Sequence, residues 1–145
     1  IEPDACYLAG LLHDIGKPVL GAMILEIDRK LGRSTPGWID LPSWTEIIET
    51  SHRKVGVAVA TEWRLPDSIT AAIRDCSDYD GADRASAGNV VRLSNALAKR
   101  EGYTTGPTDA ADIEAMIMVG MSMLGGDTSV VDRLVNNIGS RLPSG

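Results

Sequence analysis

The sequence lacks phenylalanine, has only two cysteines and two histidines, and contains no concentrated run of basic residues. Cys6 and Cys76 stand far apart without a Cys-x-x-Cys pair, which argues against a disulfide framework and favours two reduced thiols used for packing. Fourteen basic residues against twenty acidic ones give a net charge of -6. Without a Lys/Arg cluster, nucleic acid is not expected as a partner.

Long apolar runs are also scarce. We find no run close to the roughly 20 apolar residues that a membrane span requires, and no basic segment followed by an apolar core that would resemble a signal peptide. The expectation is therefore a cytoplasmic protein without a membrane partner. A chain of 145 residues with 43% hydrophobic content is long enough for one domain with its own core.

Apolar residues recur at three- and four-residue spacing through most of the chain, and no stretch alternates at period two. The pattern predicts an all-α fold, a bundle of about six or seven helices in a single domain over residues 1–145. The predicted helices cover residues 4–14, 18–31, 43–63, 66–76, 85–100, 109–124 and 127–141.

Several capping and loop signals set the predicted boundaries. Asp4 is the expected N-cap of the first helix, and Ser43-Trp44-Thr45-Glu46 has the spacing of a capping box. The helix that starts at Ser43 has a candidate bend near Thr50. Residues 33–42 are expected to form a loop anchored by Trp38 and Ile39, and the polar residues 77–84 an exposed loop.

One short segment carries the chemistry. His13, Asp14 and Lys17 place an imidazole, a carboxylate and an ammonium group within five residues, a combination suited to a divalent metal and a phosphate. Two ligands rarely suffice for a metal. The structural alternative is a helix end at which His13 and Asp14 only hydrogen-bond to nearby backbone.

Three residues further along the chain are candidates to join this site: His52, Asp75 and Asn95. Each also has a structural interpretation. His52 fits a core histidine and Asp75 fits a solvated carboxylate. Asn95 lies inside an apolar helix and needs a hydrogen-bonding partner whatever its role.

The order of these motifs resembles the second half of the HDOD domain, the HD-related output domain of bacterial signalling proteins. The segments that carry the resemblance are Ala9-Gly10-Leu11-Leu12-His13-Asp14-Ile15-Gly16-Lys17, Ser51-His52-Arg53-Lys54-Val55-Gly56, Glu62-Trp63-Arg64-Leu65-Pro66-Asp67, Ala72-Ile73-Arg74 and Val91-Arg92-Leu93-Ser94-Asn95-Ala96-Leu97-Ala98. The resemblance covers residues 4–100. It implies an HD-like helical bundle, and a regulatory module rather than an enzyme, often joined to other signalling domains. The chain starts at Ile1 with a helical pattern already under way, so we expect a fragment of a longer signalling protein.

Catalytic relatives of this family hold a metal through a histidine, a His-Asp pair and a distant aspartate, and a lysine can hold the phosphate. His13 and Asp14 match the pair, and Lys17 matches the lysine. No histidine precedes His13. The distal aspartate corresponds to Asn95, a poorer ligand than a carboxylate.

Cys76 and Ser77 stand where the binuclear branch of the family has two histidines, and no Gly-Tyr-Pro follows any histidine. The resemblance therefore implies a degenerate site, with Asn95 and Cys76 as the altered positions and no cofactor expected. If the site is functional, its ligands would be His13, Asp14, His52 and Asp75, and the metal would be Mn, Fe, Ni or Mg.

Three functions follow as hypotheses. The first is a non-catalytic regulatory module of bacterial signal transduction, which acts through protein contacts or by sensing a small molecule or nucleotide at the degenerate site. The second is a metal-dependent phosphohydrolase or phosphodiesterase with an unusual ligand set. The third is a structural helical adaptor. The expected partners are other signalling domains or proteins, with neither nucleic acid nor membrane among them.

Overall fold

The computed structural model describes residues 2–31, 39–104 and 107–141. Within these ranges the chain forms seven α-helices and no strand, which confirms the predicted all-α bundle. The helices are α1 (Pro3–Leu12), α2 (Gly16–Leu31), α3 (Leu41–Glu62), α4 (Asp67–Asp75), α5 (Ala87–Arg100), α6 (Ala110–Leu124) and α7 (Thr128–Arg141). Trp38 lies outside the described residues, as does most of the predicted loop 33–42.

Two predicted caps were wrong. The N-cap of α1 is Glu2 rather than Asp4, which lies in the first turn. α3 begins two residues before the supposed capping box, because the Asp40 carboxylate accepts a hydrogen bond from the Ser43 amide at 2.8 Å and thereby caps the helix. From there α3 continues through Thr50 as one helix of 22 residues, without the bend considered there.

Two clusters of buried apolar side chains form the core. The first joins α1, α3, α4 and α5 and consists of Ala9, Ala60, Ile69, Ala72, Ile73, Cys76 and Val91. The second joins α5, α6 and α7 and consists of Leu93, Ala96, Leu97, Ile113, Ile117 and Val131. Because α5 contributes to both clusters, it links the two parts of the bundle.

The start of α2 packs directly on the middle of α3. A Cβ atom added to Gly16 would lie 1.7 Å from the His52 carbonyl oxygen and 2.8 Å from the Gly56 amide nitrogen. Only glycine permits so close an approach of the two backbones. This contact places the turn between α1 and α2, which contains His13 and Asp14, against the face of α3 that carries His52.

α1 and α2 expose much of their apolar surface. Side chains such as Tyr7, Leu11 and Met23 are more than half exposed. Residues Pro3–Leu31 are long and apolar enough to cross a membrane, with a mean hydropathy of 1.4 and 22% of the window buried. A turn at residues 13–15 divides this segment into α1 and α2. The core helix of a soluble protein and a signal sequence share this length and composition, so the expected absence of a membrane partner stays a prediction.

Candidate functional site

The two histidines of the chain are held in the same way. His13 Nδ1 lies 2.7 Å from the Gly10 carbonyl oxygen, and His52 Nδ1 lies 2.9 Å from the Ile48 carbonyl oxygen. A carbonyl oxygen only accepts hydrogen bonds, so each Nδ1 is assigned the proton and donates it. In a neutral ring, Nε2 is then left with its lone pair.

Both Nε2 atoms face the same carboxylate. Asp14 Oδ2 lies 3.6 Å from His13 Nε2, and Asp14 Oδ1 lies 3.5 Å from His52 Nε2. His52 is only 3% exposed. The turn after α1 and the middle of α3 thus bring together three of the predicted site residues.

Lys17 completes the group. Its Nζ lies 3.0 Å from Asp14 Oδ2 and 3.5 Å from Glu49 Oε1. Burial acts to raise the pKa of Asp14, but the charges of His13, Lys17 and His52 and the hydrogen bond from Lys17 outweigh it, so the pKa is lowered. Asp14 is therefore an ionised carboxylate held by a cation.

The two rings can face Asp14 in either of two forms. A neutral ring with its proton on Nδ1 directs the Nε2 lone pair towards the Asp14 carboxylate, whereas a ring protonated at both nitrogens forms the ion pair that lowers the pKa of Asp14. His13 Nε2 is buried without a hydrogen-bonding partner. Only a proton on the ring or a cation between the groups relieves the repulsion between that lone pair and the carboxylate. However, no group of three or more His, Cys, Asp or Glu side chains within the described ranges is placed to hold a metal ion. As they stand, these residues do not fit a complete metal centre.

Asn95 lines a cavity together with His13. The cavity has a volume of about 230 Å³ and lies between α1 and α5, and His13, Ser94 and Asn95 provide its polar side chains. Cys6, Gly10, Val90, Val91 and Ala98 complete its lining. Asn95 therefore shares a cavity with His13, as the resemblance implies for the distal position, but it offers an amide instead of a carboxylate.

Asp75 is engaged elsewhere. Its two carboxylate oxygens accept hydrogen bonds from Arg74 Nε and Nη2, both at 2.8 Å, and the side chain is half exposed. The hydrogen bonds from Arg74 lower the pKa of Asp75. The described contacts do not bring Asp75 into the group formed by His13, Asp14 and His52.

Cys76 is buried in the first core cluster, where its thiol donates to the Ile73 carbonyl oxygen at 3.6 Å. Burial raises the pKa of this thiol, and the charge of Asp14 acts in the same direction, whereas Arg53 and Arg92 act against it. The thiol is therefore protonated near neutral pH, which is the poorer state for binding a metal.

Sequence reasoning missed three residues around the site. Glu49 is the second partner of Lys17. Arg53 and Arg92 belong to the segments that resemble the HDOD domain, and both act on Cys76 at the end of α4. A helical period of 3.6 places Glu49 on the same face as His52 and so contained a signal for it, but nothing in the spacing indicated the two arginines.

Comparison with models of protein families finds a match. The family model of the HDOD domain matches residues 1–79, which is more than half of the chain. This range contains His13, Asp14, Lys17 and His52. No curated protein matches the chain, and no solved structure matches it. The chain belongs to the HDOD domain family.

Proposed function

We propose that this chain is a non-catalytic regulatory module of bacterial signal transduction that senses a small ligand at the His13–Asp14 site. The carrying observation is the buried Nε2 atom of His13, which has no hydrogen-bonding partner and belongs to a residue in the wall of the 230 Å³ cavity. A buried polar atom without a partner costs free energy that a bound ligand can recover.

The chemistry of the outer positions supports regulation over hydrolysis. A hydrolytic metal centre needs three or more anionic or imidazole ligands and an open position for water. Here Asn95 is neutral, the Cys76 thiol has a raised pKa, and Asp75 is bound to Arg74. His13, Asp14 and His52 remain, and no group of three such side chains in the part of the chain that the structure describes is placed to hold a metal ion.

The contacts of Asp14 offer a route for a signal. A ligand that contacts His13 in the cavity between α1 and α5 also acts on Asp14, 3.6 Å away. Asp14 in turn contacts Lys17 on α2 and His52 on α3. Occupation of the cavity can therefore shift α2 and α3, if the bound and free states differ in these contacts.

The first experiment measures metal and turnover. Purified protein is equilibrated with Mn, Fe, Ni or Mg, and bound metal and hydrolysis of nucleotides and cyclic dinucleotides are measured. We expect neither stoichiometric metal nor turnover. Stoichiometric metal together with turnover that is lost in His13→Ala would replace this proposal by the second candidate, a metal-dependent phosphohydrolase, which is favoured by the convergence of two Nε2 atoms on Asp14.

The second experiment separates a sensor from a structural adaptor. Thermal unfolding is recorded with and without nucleotides for the wild type, His13→Ala and Lys30→Ala, an exposed cation on α2 that pairs with Glu26. A sensor gives a ligand-dependent rise in Tm that is smaller in His13→Ala than in the wild type and in Lys30→Ala. An adaptor gives a lower Tm in His13→Ala and the same response to each ligand in all variants.

A further inference from the structure

Two half-buried arginines, Arg53 and Arg92, form no ion pair with a carboxylate among the described residues. Arg53 of α3 and Arg92 of α5 each have a buried Nε atom without a hydrogen-bonding partner. Arg29, Arg74 and Arg100, by contrast, pair with carboxylates. Burying a guanidinium group without an anion costs free energy, so a buried arginine usually has an anionic partner.

The packing of α3 against α4 places Arg53 at the end of α4. Residues 63–66 join the two helices, and a Cβ atom added to Gly56, before this turn, would lie 3.0 Å from Ile73 Cγ2, which is equally far after it. We infer from this pairing that the two helices run in opposite directions. One turn back along α3 from Gly56 is Arg53, and one turn on along α4 from Ile73 is Cys76. This register sets Arg53 opposite Cys76, and the charge of Arg53 acts on the Cys76 thiol.

Arg92 reaches the same place from α5. Its Nη1 donates to the Cys76 carbonyl oxygen at 3.4 Å, and its guanidinium group lies over the Tyr79 ring at 5.1 Å. The Tyr79 hydroxyl donates to the Met116 carbonyl oxygen at 2.7 Å, which fixes the ring. Arg92 is thus held in position by a long hydrogen bond and a cation–π contact, while its buried Nε has no hydrogen-bonding partner.

Two positioned guanidinium groups are chemically suited to one kind of ligand. Each presents N–H donors in a planar fork that matches the oxygens of a phosphate. The chain as a whole carries a net charge of -6, so an anion is attracted only where cations are concentrated locally. Asp14 does not serve as that anion, since its ion pairs are with Lys17 and the two histidines.

We propose that Arg53 and Arg92 form a binding site for a phosphate group at the carboxyl end of α4, beside the His13–Asp14 site. The ligand is either inorganic phosphate or the phosphate of a nucleotide, since both present the same oxygens to the two forks. This site is independent of the regulatory function proposed above, because neither His13 nor the cavity beside it contributes to it.

Calorimetric titration of the whole chain tests the proposal with three probes: inorganic phosphate, AMP and adenosine. The variants are Arg53→Gln and Arg92→Gln, with Arg29→Gln as the control, since it removes the same charge from an exposed position. Inorganic phosphate is expected to bind saturably to the wild type and to the control. Each site variant is expected to bind roughly 10- to 100-fold more weakly, which is the loss of a charge-assisted hydrogen bond.

The other two probes identify the source of the phosphate. AMP binding more tightly than phosphate, with adenosine not binding, assigns the site to a nucleotide. Equal affinities of AMP and phosphate assign it to the free anion. Absence of saturable phosphate and AMP binding at millimolar concentration, or equal affinity in all three variants, overturns the proposal.

Nuclear magnetic resonance gives a second measurement that needs no variant to fold. The Nε–H resonances of Arg53 and Arg92 should shift on addition of phosphate, while that of Arg74, already bound to Asp75, should not. Unchanged Arg53 and Arg92 resonances at saturating phosphate contradict the proposal. The His13→Ala protein should still bind phosphate, so failure of the ligand-sensing function and failure of this site can be told apart.

Discussion

Replacement of Gly16 by alanine is the sharpest perturbation of the packing that builds the site. The new Cβ atom would lie 1.7 Å from the His52 carbonyl oxygen and 2.6 Å from the His52 carbonyl carbon, far inside the 3.0 Å below which real Cβ contacts are essentially not found. The neighbouring atoms belong to the backbone of α3, so no flexible side chain can move aside. α2 must therefore separate from α3.

The loss of stability can be estimated from the separation of α2 from α3. Overpacking of a well-packed core usually costs 1 to 3 kcal/mol, and a contact between two backbones belongs at the upper end, at about 3 kcal/mol or more. For a domain of this size, this corresponds to a fall in Tm of roughly 10 °C. The separation also pulls Asp14 and Lys17 away from His52 and Glu49, so the ligand response of the site should weaken with stability.

Gly21→Ala is the matched control. Gly21 lies in the same helix, and a Cβ atom there would meet nothing within 4 Å. Alanine at an open helical position should stabilise the protein by about 0.5 to 1 kcal/mol. Chemical and thermal unfolding of the wild type and both variants provides the measurement. Equal stabilities of Gly16→Ala and the wild type would refute the close contact of α2 with α3.

Two further changes test other features of the fold. Asn89 is 1% exposed and bonds the backbone of Asp80 through both its oxygen and its nitrogen, at 2.8 and 2.9 Å. Asn89→Ala should lower the free energy of unfolding by about 2 to 4 kcal/mol and increase amide exchange in the loop 77–86. The control Asn136→Ala, on the surface of α7, should change neither the stability nor the exchange. A fall of less than about 1 kcal/mol, the lower bound for an unsatisfied buried group, would argue against this role of Asn89. The bond from Ser43 lowers the pKa of Asp40. The cap should therefore stabilise α3 at pH values above the pKa of Asp40 in the unfolded chain, whose ordinary value is 3.8, and weaken as the pH falls through the lower pKa of the folded state. Asp40→Asn keeps a capping oxygen that does not titrate, so the Tm difference between wild type and variant should change over this acidic range, and a constant difference would contradict it.

The helices could be predicted from sequence because their causes are local. The spacing of apolar residues located all seven, and α6 ends at Gly125, in the left-handed conformation, as the Gly125-Gly126 pair indicated. Errors fell at N-termini. Ser43 looked like a cap, but Asp40 was also available three residues earlier, and sequence could not rank two adequate caps.

The HDOD family membership also rests on sequence, since it depends on the order of motifs along residues 1–79. The sequence further supplied the types of donor at the site. His13, Asp14, Lys17 and His52 were identified by chemistry, and the structure brings them together.

Only the tertiary structure decided how these groups are used. The directions of the two Nε2 atoms depend on the carbonyl oxygens of Gly10 and Ile48, and the loss of Asp75 from the site depends on its neighbour Arg74. The placement of Arg53 and Arg92 near Cys76 depends on how α3 and α5 pack on α4. A helical repeat specifies which side of a helix a residue occupies, whereas the partner that it meets depends on the register between helices, which small residues such as Gly16 and Gly56 set through close backbone contact.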